Sequence, residues 1–191
     1  VTSGEMLLEG KKIPGGNAGD VIKSGICLAS EDRKRYGLIL LHDIKTNISL
    51  ASLDKLSRNG IIAHSAETLE AEKYAKMMTV KTPSMEQKAL KLSGGNQQKV
   101  ALAKCLSTNP KILILDEPTK GIDVGAKKEI HTLIKELANS GMGVVIVSSE
   151  LPEIIGMCHR VLVIREGKLI KQFRKEEINE EDLMHAAVGN I

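Results

Sequence analysis

"KILILDEPTKGIDVG", residues 111–125, decides the fold class. Ile112 to Leu115 run without a polar interruption into Asp116 and Glu117, and Pro118 then stops the strand. Such a run is expected of a strand buried on both faces of a parallel sheet. "GVVIV" (143–147) repeats the pattern, and between the two, Ile130, Leu133, Ile134 and Leu137 mark one buried helical face. Strand, helix and strand in this order predict an α/β fold with a parallel sheet. Carboxylates at the carboxyl end of a buried parallel strand lie where open α/β sheets bind ligands. In phosphoryl-transfer sites an aspartate there holds Mg²⁺, and an adjacent glutamate is suited to orient or deprotonate a water. A plain turn after a core strand is the competing reading of the same pair.

Upstream, "LKLSGGNQQKV" (90–100) places a serine and two glycines before a good helix-forming run. Glycine inside a helix costs about 1 kcal/mol relative to alanine, so Gly94 and Gly95 need a reason. Ser93 is a natural N-cap for a helix from about Gly95 to Ser107. First-turn N–H groups are unpaired and carry the positive end of the helix dipole, and glycines let a phosphate come close to them. For "SGG" alone, an ordinary capped helix with a flexible entry is the better reading.

Composition narrows the class. The 191 residues are 42% hydrophobic, enough for one globular domain with a real core. A formal charge of +3 is too small to indicate nucleic acid, and the only aromatics, Tyr36, Tyr74 and Phe173, argue against base-stacking platforms. Cys27, Cys105 and Cys158 show no metal-ligand spacing and fit a reduced interior. The five histidines form no ligand cluster in sequence. No apolar run approaches the ~20 residues that span a bilayer.

Around this centre, Met6–Glu9 and Lys11–Ile13 predict a short hairpin, "PGGNAGD" (14–20) a loop into a short helix near Val21 to Ser24, and "GICLAS" (25–30) a buried strand. The stretch 43–88 reads as helical and more polar. "RKR" (33–35) reads as a solvated face rather than a contact to an acidic partner. "RVLVIREGKLIKQF" (160–173) predicts two strands joined at Glu166-Gly167, and "INEEDLMHAAV" (178–188) a closing helix capped by Asn179.

Taken in order, "LSGGNQQKV", "ILILDEP" and "GID" resemble the ATP-binding cassette (ABC) family, with its LSGGQ signature, its hhhhDE Walker B strand and the D-loop aspartate that follows. The resemblance covers essentially the whole chain. It is closest to the second cassette of tandem ATPases that power monosaccharide importers of the ribose type, through "SEDRKRYGLIL", "VKTPSMEQ", "DVGAKKEI", "VSSELPEIIGM" and "EDLMHAAVGN". It implies a P-loop NTPase-like cassette with a mostly parallel sheet, a helical subdomain and a short antiparallel β portion. In that layout residues 1–31 begin the core, 32–92 form the helical subdomain and Q-loop region, and 93–191 carry the signature helix, Walker B, D-loop and the rest of the core.

The resemblance further implies roles. Ser93, Gly94 and Gly95 would contact the γ-phosphate of an ATP held by an opposing cassette, with Asn96 standing where the general signature has Gln. Asp116 would serve Mg²⁺, Glu117 would be the catalytic carboxylate, and Asp123 would communicate across the dimer. Glu31 falls where many cassettes carry a Gln that touches metal and water, and Arg33 to about Asn47 would lie near the membrane subunit. The implied cofactors are ATP and Mg²⁺. The implied partners are a second cassette (the N-terminal half of the same protein or another copy), two permease subunits and a periplasmic sugar-binding protein, with no nucleic acid. The implied place is the cytoplasmic face of the membrane.

Two departures stand out. A Walker A loop, G-x-x-x-x-G-K-[ST], is absent: Gly10-Lys11 and Gly167-Lys168 lack its context. The opening hairpin is similar to the one that normally follows the P-loop helix, which reads as a chain cut after that helix, inactive alone and with an exposed apolar sheet edge. Ser149 stands where many cassettes have a histidine that contacts the γ-phosphate; serine cannot carry its positive charge. A truncated cassette acting only as an interaction module is the alternative, and a soluble non-transport ABC ATPase a more distant one, since neither long insertions nor basic arms are seen.

Overall fold

The computed structural model describes residues 4–14 and 16–189. Two compact units emerge, Val1–Val145 and Ile146–Ile191. The larger opens with a hairpin of β1 (Leu7–Leu8) and β2 (Lys11–Lys12), followed by α1 (Ala18–Lys23) and β3 (Ile26–Ala29). Next come a π-helical turn at Arg33–Gly37, α2 (Ile44–Ser49), α3 (Leu53–Leu56), a second hairpin of β4 (Ser57–Arg58) and β5 (Ile61–Ile62), and α4 (His64–Met77). Then follow α5 (Gly94–Ser107), β6 (Ile112–Asp116), α6 (Val124–Asn139) and β7 (Gly143–Val147). The smaller unit holds α7 (Leu151–Met157), β8 (Arg160–Arg165), β9 (Lys168–Arg174) and α8 (Glu180–Val188).

Hairpin chemistry is repeated three times. Glu9-Gly10, Asn59-Gly60 and Glu166-Gly167 all pair a left-handed residue (φ 52°, 53° and 51°) with a left-handed glycine (φ 75°, 78° and 75°). Positive φ at both central positions is what a primed two-residue turn requires. The Asn59-Gly60 hairpin departs from the helical reading of 43–88, although Asn-Gly is itself a strong hairpin signal. The predicted loop at 14–20 gives way to α1 earlier than expected, because the Asn17 side chain accepts from the Asp20 amide at 2.8 Å and so caps the helix; Gly15 of that loop lies outside the described residues.

The sheet of the larger unit has strand order β3–β6–β7, with β3 and β6 parallel and Cys27 opposite Leu113, Ala29 opposite Leu115. Those four residues form one buried face, Leu113 and Leu115 fully so. The other face of this pair is only partly covered, with Ile112 and Ile114 half-buried and Leu28 58% exposed, and Val145 of β7 is 49% exposed. The expectation of strands buried on both faces is therefore corrected to one. An uninterrupted apolar run records what a strand tolerates, and it carries no sign of whether a second layer lies over it.

The buried face packs against α5, which also meets α2 and α4. Eleven of its residues are buried, including Gln97, Gln98, Lys99 and Ser107. Polar groups in that position are ordinarily bonded, although Gln97 Oε1 is buried without a hydrogen-bond partner. The Gln97 amide donates to the Ala89 carbonyl at 3.1 Å, and Ser107 Oγ donates to Ile48 O at 2.9 Å. Lys99, 2% exposed, donates to Thr79 O and Oγ1 (both 3.2 Å) and to Glu129 Oε2 at 2.6 Å. Lys55 Nζ donates to the Ser107 and Thr108 carbonyls at 3.3 and 2.7 Å, setting a cation at the negative end of α5.

In α4 the buried face carries Tyr74, Ala71 and Ala75, with Met78 just beyond the helix, whereas Leu69 is 68% exposed. Buried Asn47 acts as a staple: its Oδ1 accepts from Ile39 N at 2.7 Å, and its Nδ2 donates to Ile39 O and Asp43 O at 3.0 and 2.9 Å. It thereby fixes the segment that leads from the π-helical turn into α2.

The smaller unit is built around Ile154, Val163, Phe173 and Leu183. Strands β8 and β9 pair antiparallel with an irregularity at Val163/Ile164. Asn179 caps α8 by accepting from the Asp182 amide at 2.9 Å, as its position predicts. Among the described residues no helix is long and apolar enough to cross a membrane.

Replacing Asn47 with leucine keeps the volume but orphans the Ile39 N–H, while Ile39 O and Asp43 O keep the backbone donors His42 N and Asn47 N. N47L is expected to lose about 1–3 kcal/mol of stability, read as a lower urea midpoint at unchanged slope.

Candidate functional site

Strand β6 delivers Asp116 to its carboxyl end, and the chain turns at once. Glu117 has φ 47°, a left-handed conformation that costs a non-glycine residue about 1–2 kcal/mol. The turn is closed by Lys120 N donating to Glu117 O at 3.1 Å, with Pro118 and Thr119 buried beneath it. The handedness at 117 swings two consecutive carboxylates away from the strand's period-two alternation. Backbone strain of this kind collects at working sites.

Lys120 is the cation of this cluster. Its Nζ donates to Glu31 Oε1 at 2.6 Å. The Glu31 carboxylate, by hydrogen bond and by charge, holds the Lys120 ammonium above the usual lysine range, and Glu117 and Asp116 add to the effect. Three carboxylates thus gather around one lysine. Mg²⁺ is ordinarily held by one or two carboxylates with waters and phosphate oxygens completing the octahedron. Asp116 offers a hard oxygen of the kind such a metal takes, at a strand end; among the described residues no group of three or more histidine, cysteine or acidic side chains is arranged to hold an ion.

The signature stretch lies alongside. Ser93 caps α5, its Oγ accepting from Asn96 N and Nδ2 at 3.4 and 3.0 Å. That oxygen accepts twice, its own proton has no acceptor among the described residues, and Ser93 is exposed. The first-turn N–H groups at Gly94 and Gly95 have no intrahelical partner. Asn96 is committed on both sides, since its Oδ1 also accepts from Lys81 N at 2.8 Å. Its amide therefore ties the 79–82 segment to the helix tip.

The glycines have a second reason that sequence reading did not reach. A Cβ on Gly95 would stand 2.6 Å from Ala126 Cβ, and one on Gly94 would meet Arg33 Nη2 at 3.0 Å and Gly121 O at 3.3 Å. Bare backbone here lets α5 approach the 121–126 segment. Asp123 caps α6, its Oδ1 accepting from Ala126 N at 2.9 Å, so one carboxylate oxygen is spent within the chain.

Arg33 corrects the reading of "RKR" as a solvated face. Lys34 and Arg35 are exposed, but Arg33 is only 7% exposed and donates to Lys120 O (3.1 Å) and Gly121 O (3.4 Å). Periodicity could not find it, because it sits in an irregular turn inside a charged cluster. Lys120 and Ala126 were likewise missed; the lysine within "DEPTKG" was the available signal. Ser149 lies in the smaller unit, exposed, in the turn between β7 and α7, where Ser148 Oγ accepts from Glu150 N at 3.0 Å.

Comparison with known proteins follows this geometry. The family model described as ABC transporter matches residues 1–120. The chain is 52% identical over 186 residues to a xylose import ATP-binding protein of Thermoanaerobacter pseudethanolicus, covering 97% of this chain and 37% of that one. It is 48% identical over 182 residues to an L-arabinose transport ATP-binding protein of Geobacillus stearothermophilus, covering 95% and 36%. The chain thus spans just over a third of the length of these relatives. Among solved structures, an ATP-binding cassette in a post-hydrolysis dimer with ADP and phosphate matches with TM-score 0.76 at 25% identity, over 91% of this chain and 74% of that one. A nucleotide-free cassette matches in fold, with TM-score 0.78 at 19% identity, over 99% and 78%.

The Gly95–Ala126 contact is testable by itself. G95A is expected to cost about 1–3 kcal/mol by overpacking, and the double variant G95A/A126G to recover most of the loss in thermal melts.

Proposed function

The chain belongs to the ABC transporter family, and from that premise we propose that it is part of the ATP-binding subunit of a monosaccharide importer. Ser93, Gly94 and Gly95 receive the γ-phosphate of an ATP seated on an opposing cassette. Ser93 donates its hydroxyl proton to a phosphate oxygen and the first-turn amides of α5 donate alongside. Asp116 would hold Mg²⁺, which would supply neutralisation of charge on the phosphates. Glu117 orients the attacking water and draws on its proton, from a position fixed by its own backbone. Glu31, released from Lys120, is placed to take part on the metal side. Asp123 keeps α6 in register at the junction and faces the opposing cassette. Asn96 secures the helix tip, and Ser149 replaces a charged phosphate contact by a neutral one.

The single observation that carries this reading is the tip of α5: an exposed, doubly accepting serine beside two glycines whose amides have no intrahelical partner. Closure around ATP and reopening after hydrolysis would move two permease subunits that receive sugar from a periplasmic binding protein, at the inner face of the membrane. The relatives named for xylose and L-arabinose favour a pentose as cargo. Ribose, implied by the motif resemblance, belongs to the same class. The sugar has no need to touch this polypeptide.

Within the intact importer, E117Q is expected to lower ATP hydrolysis by about 10²–10⁴-fold while ATP is still bound. Uptake of labelled xylose, L-arabinose and ribose in reconstituted vesicles separates the cargoes, and uptake of none of them would sink the importer reading. For the 191-residue chain by itself, calorimetry is expected to show no micromolar affinity for MgATP, because the chain holds no P-loop sequence to cradle the β- and γ-phosphates.

A further inference from the structure

Arg33 is a buried cation without a buried anion. Its guanidinium is satisfied by the carbonyls of Lys120 and Gly121, while Nε is buried and has no hydrogen-bond partner. Among the described residues no carboxylate forms an ion pair with it; Asp32, next in sequence, spends its Oδ1 on the Lys34 and Arg35 amides at 3.2 and 3.1 Å. Buried charges are ordinarily paired, since desolvation of an isolated ion costs several kcal/mol. Burial here pushes the guanidinium below its usual value, with Asp32 opposing, yet arginine stays protonated.

The head of this side chain rests against the start of α5, where Nη2 lies 3.0 Å from the place a Gly94 Cβ would occupy. A full positive charge thus lies beside the first turn of α5, whose Gly94 and Gly95 amides have no intrahelical partner and whose cap, Ser93, is exposed. α5 is fourteen residues long, so its dipole is developed as well.

We propose that Arg33 is a positioning residue that places a permanent buried charge under the tip of α5, making it a binding site for a phosphate-type oxyanion while pinning Lys120 and Gly121 to the same spot. The dipole alone supplies about half a charge; Arg33 supplies a whole one. The same side chain joins three loops: the segment after Glu31, the turn after β6 and the glycine pair. A shift of the 33–41 segment therefore reaches the anion site directly. This inference rests on the phosphate-clamp reading of the α5 tip.

The test uses the 191-residue chain and sulfate, whose charge is constant near neutral pH, in a low-chloride buffer followed by ¹H–¹⁵N NMR. The Gly94 and Gly95 amides and the Arg33 Nε–H are expected to shift with one shared, saturable dissociation constant. R33K keeps the charge and is expected to bind within about threefold of wild type, whereas R33M is expected to bind about tenfold more weakly. Absence of saturable shifts in wild type overturns the proposal, as do amide shifts that leave the Arg33 Nε–H unmoved, or a folded R33M that binds like wild type. If R33M does not fold, the wild-type Nε–H decides. Sulfate binding that depends on Arg33, combined with a transporter indifferent to changes at Ser93, would sink the clamp reading and leave this one standing.

Discussion

One close approach governs the larger unit: the first turn of α5 against the first turn of α6, with nothing but hydrogen at position 95 and a methyl at 126. That contact brings the signature serine, the turn after β6 and the cap of α6 into one neighbourhood. The rest is arranged to hold α5 in place. Buried Lys99 spans from α5 to Thr79 and Glu129, Lys55 closes the helix at its other end, and Asn96 draws in the 79–82 segment. A helix this buried is not free to tilt, so the position of its tip is inherited from the core.

Charge is organised around the same place in two layers. On the surface, Lys120 stands among Glu31, Asp116 and Glu117, an exchangeable cation in a spot suited to a metal. Below it, Arg33 is fixed and desolvated. The two act on opposite kinds of ligand. In the proposed reading, a divalent ion at Asp116 would displace the outer lysine, whereas the inner arginine would stay beneath the tip of α5. Both meet through the backbone at 120, whose side chain belongs to one layer and whose carbonyl belongs to the other.

Much of this could be read from the letters. The apolar runs gave β6 and β7, the 3–4 spacing gave α6, and Ser93 and Asn179 marked helix starts where the caps are found. What could not be read was anything decided by a second layer of packing. "GICLAS" and "GVVIV" read as buried strands, yet Leu28 and Val145 are exposed. The glycine pair read as room for a phosphate or as a flexible helix entry; the packing against Ala126, far along the chain, left no trace in the periodicity. Arg33 was hidden by its neighbours, because charge density in a cluster says nothing about which member turns inward.

The left-handed backbone at Glu117 carries a last implication. Aspartate and asparagine tolerate that handedness better than glutamate does, because a short polar chain can bond locally. The torsion thus argues for a shorter residue than the one present. Glutamate carries its carboxylate one methylene farther from the backbone than aspartate would, so in the proposed reading the torsional disadvantage at 117 is the counterpart of added reach.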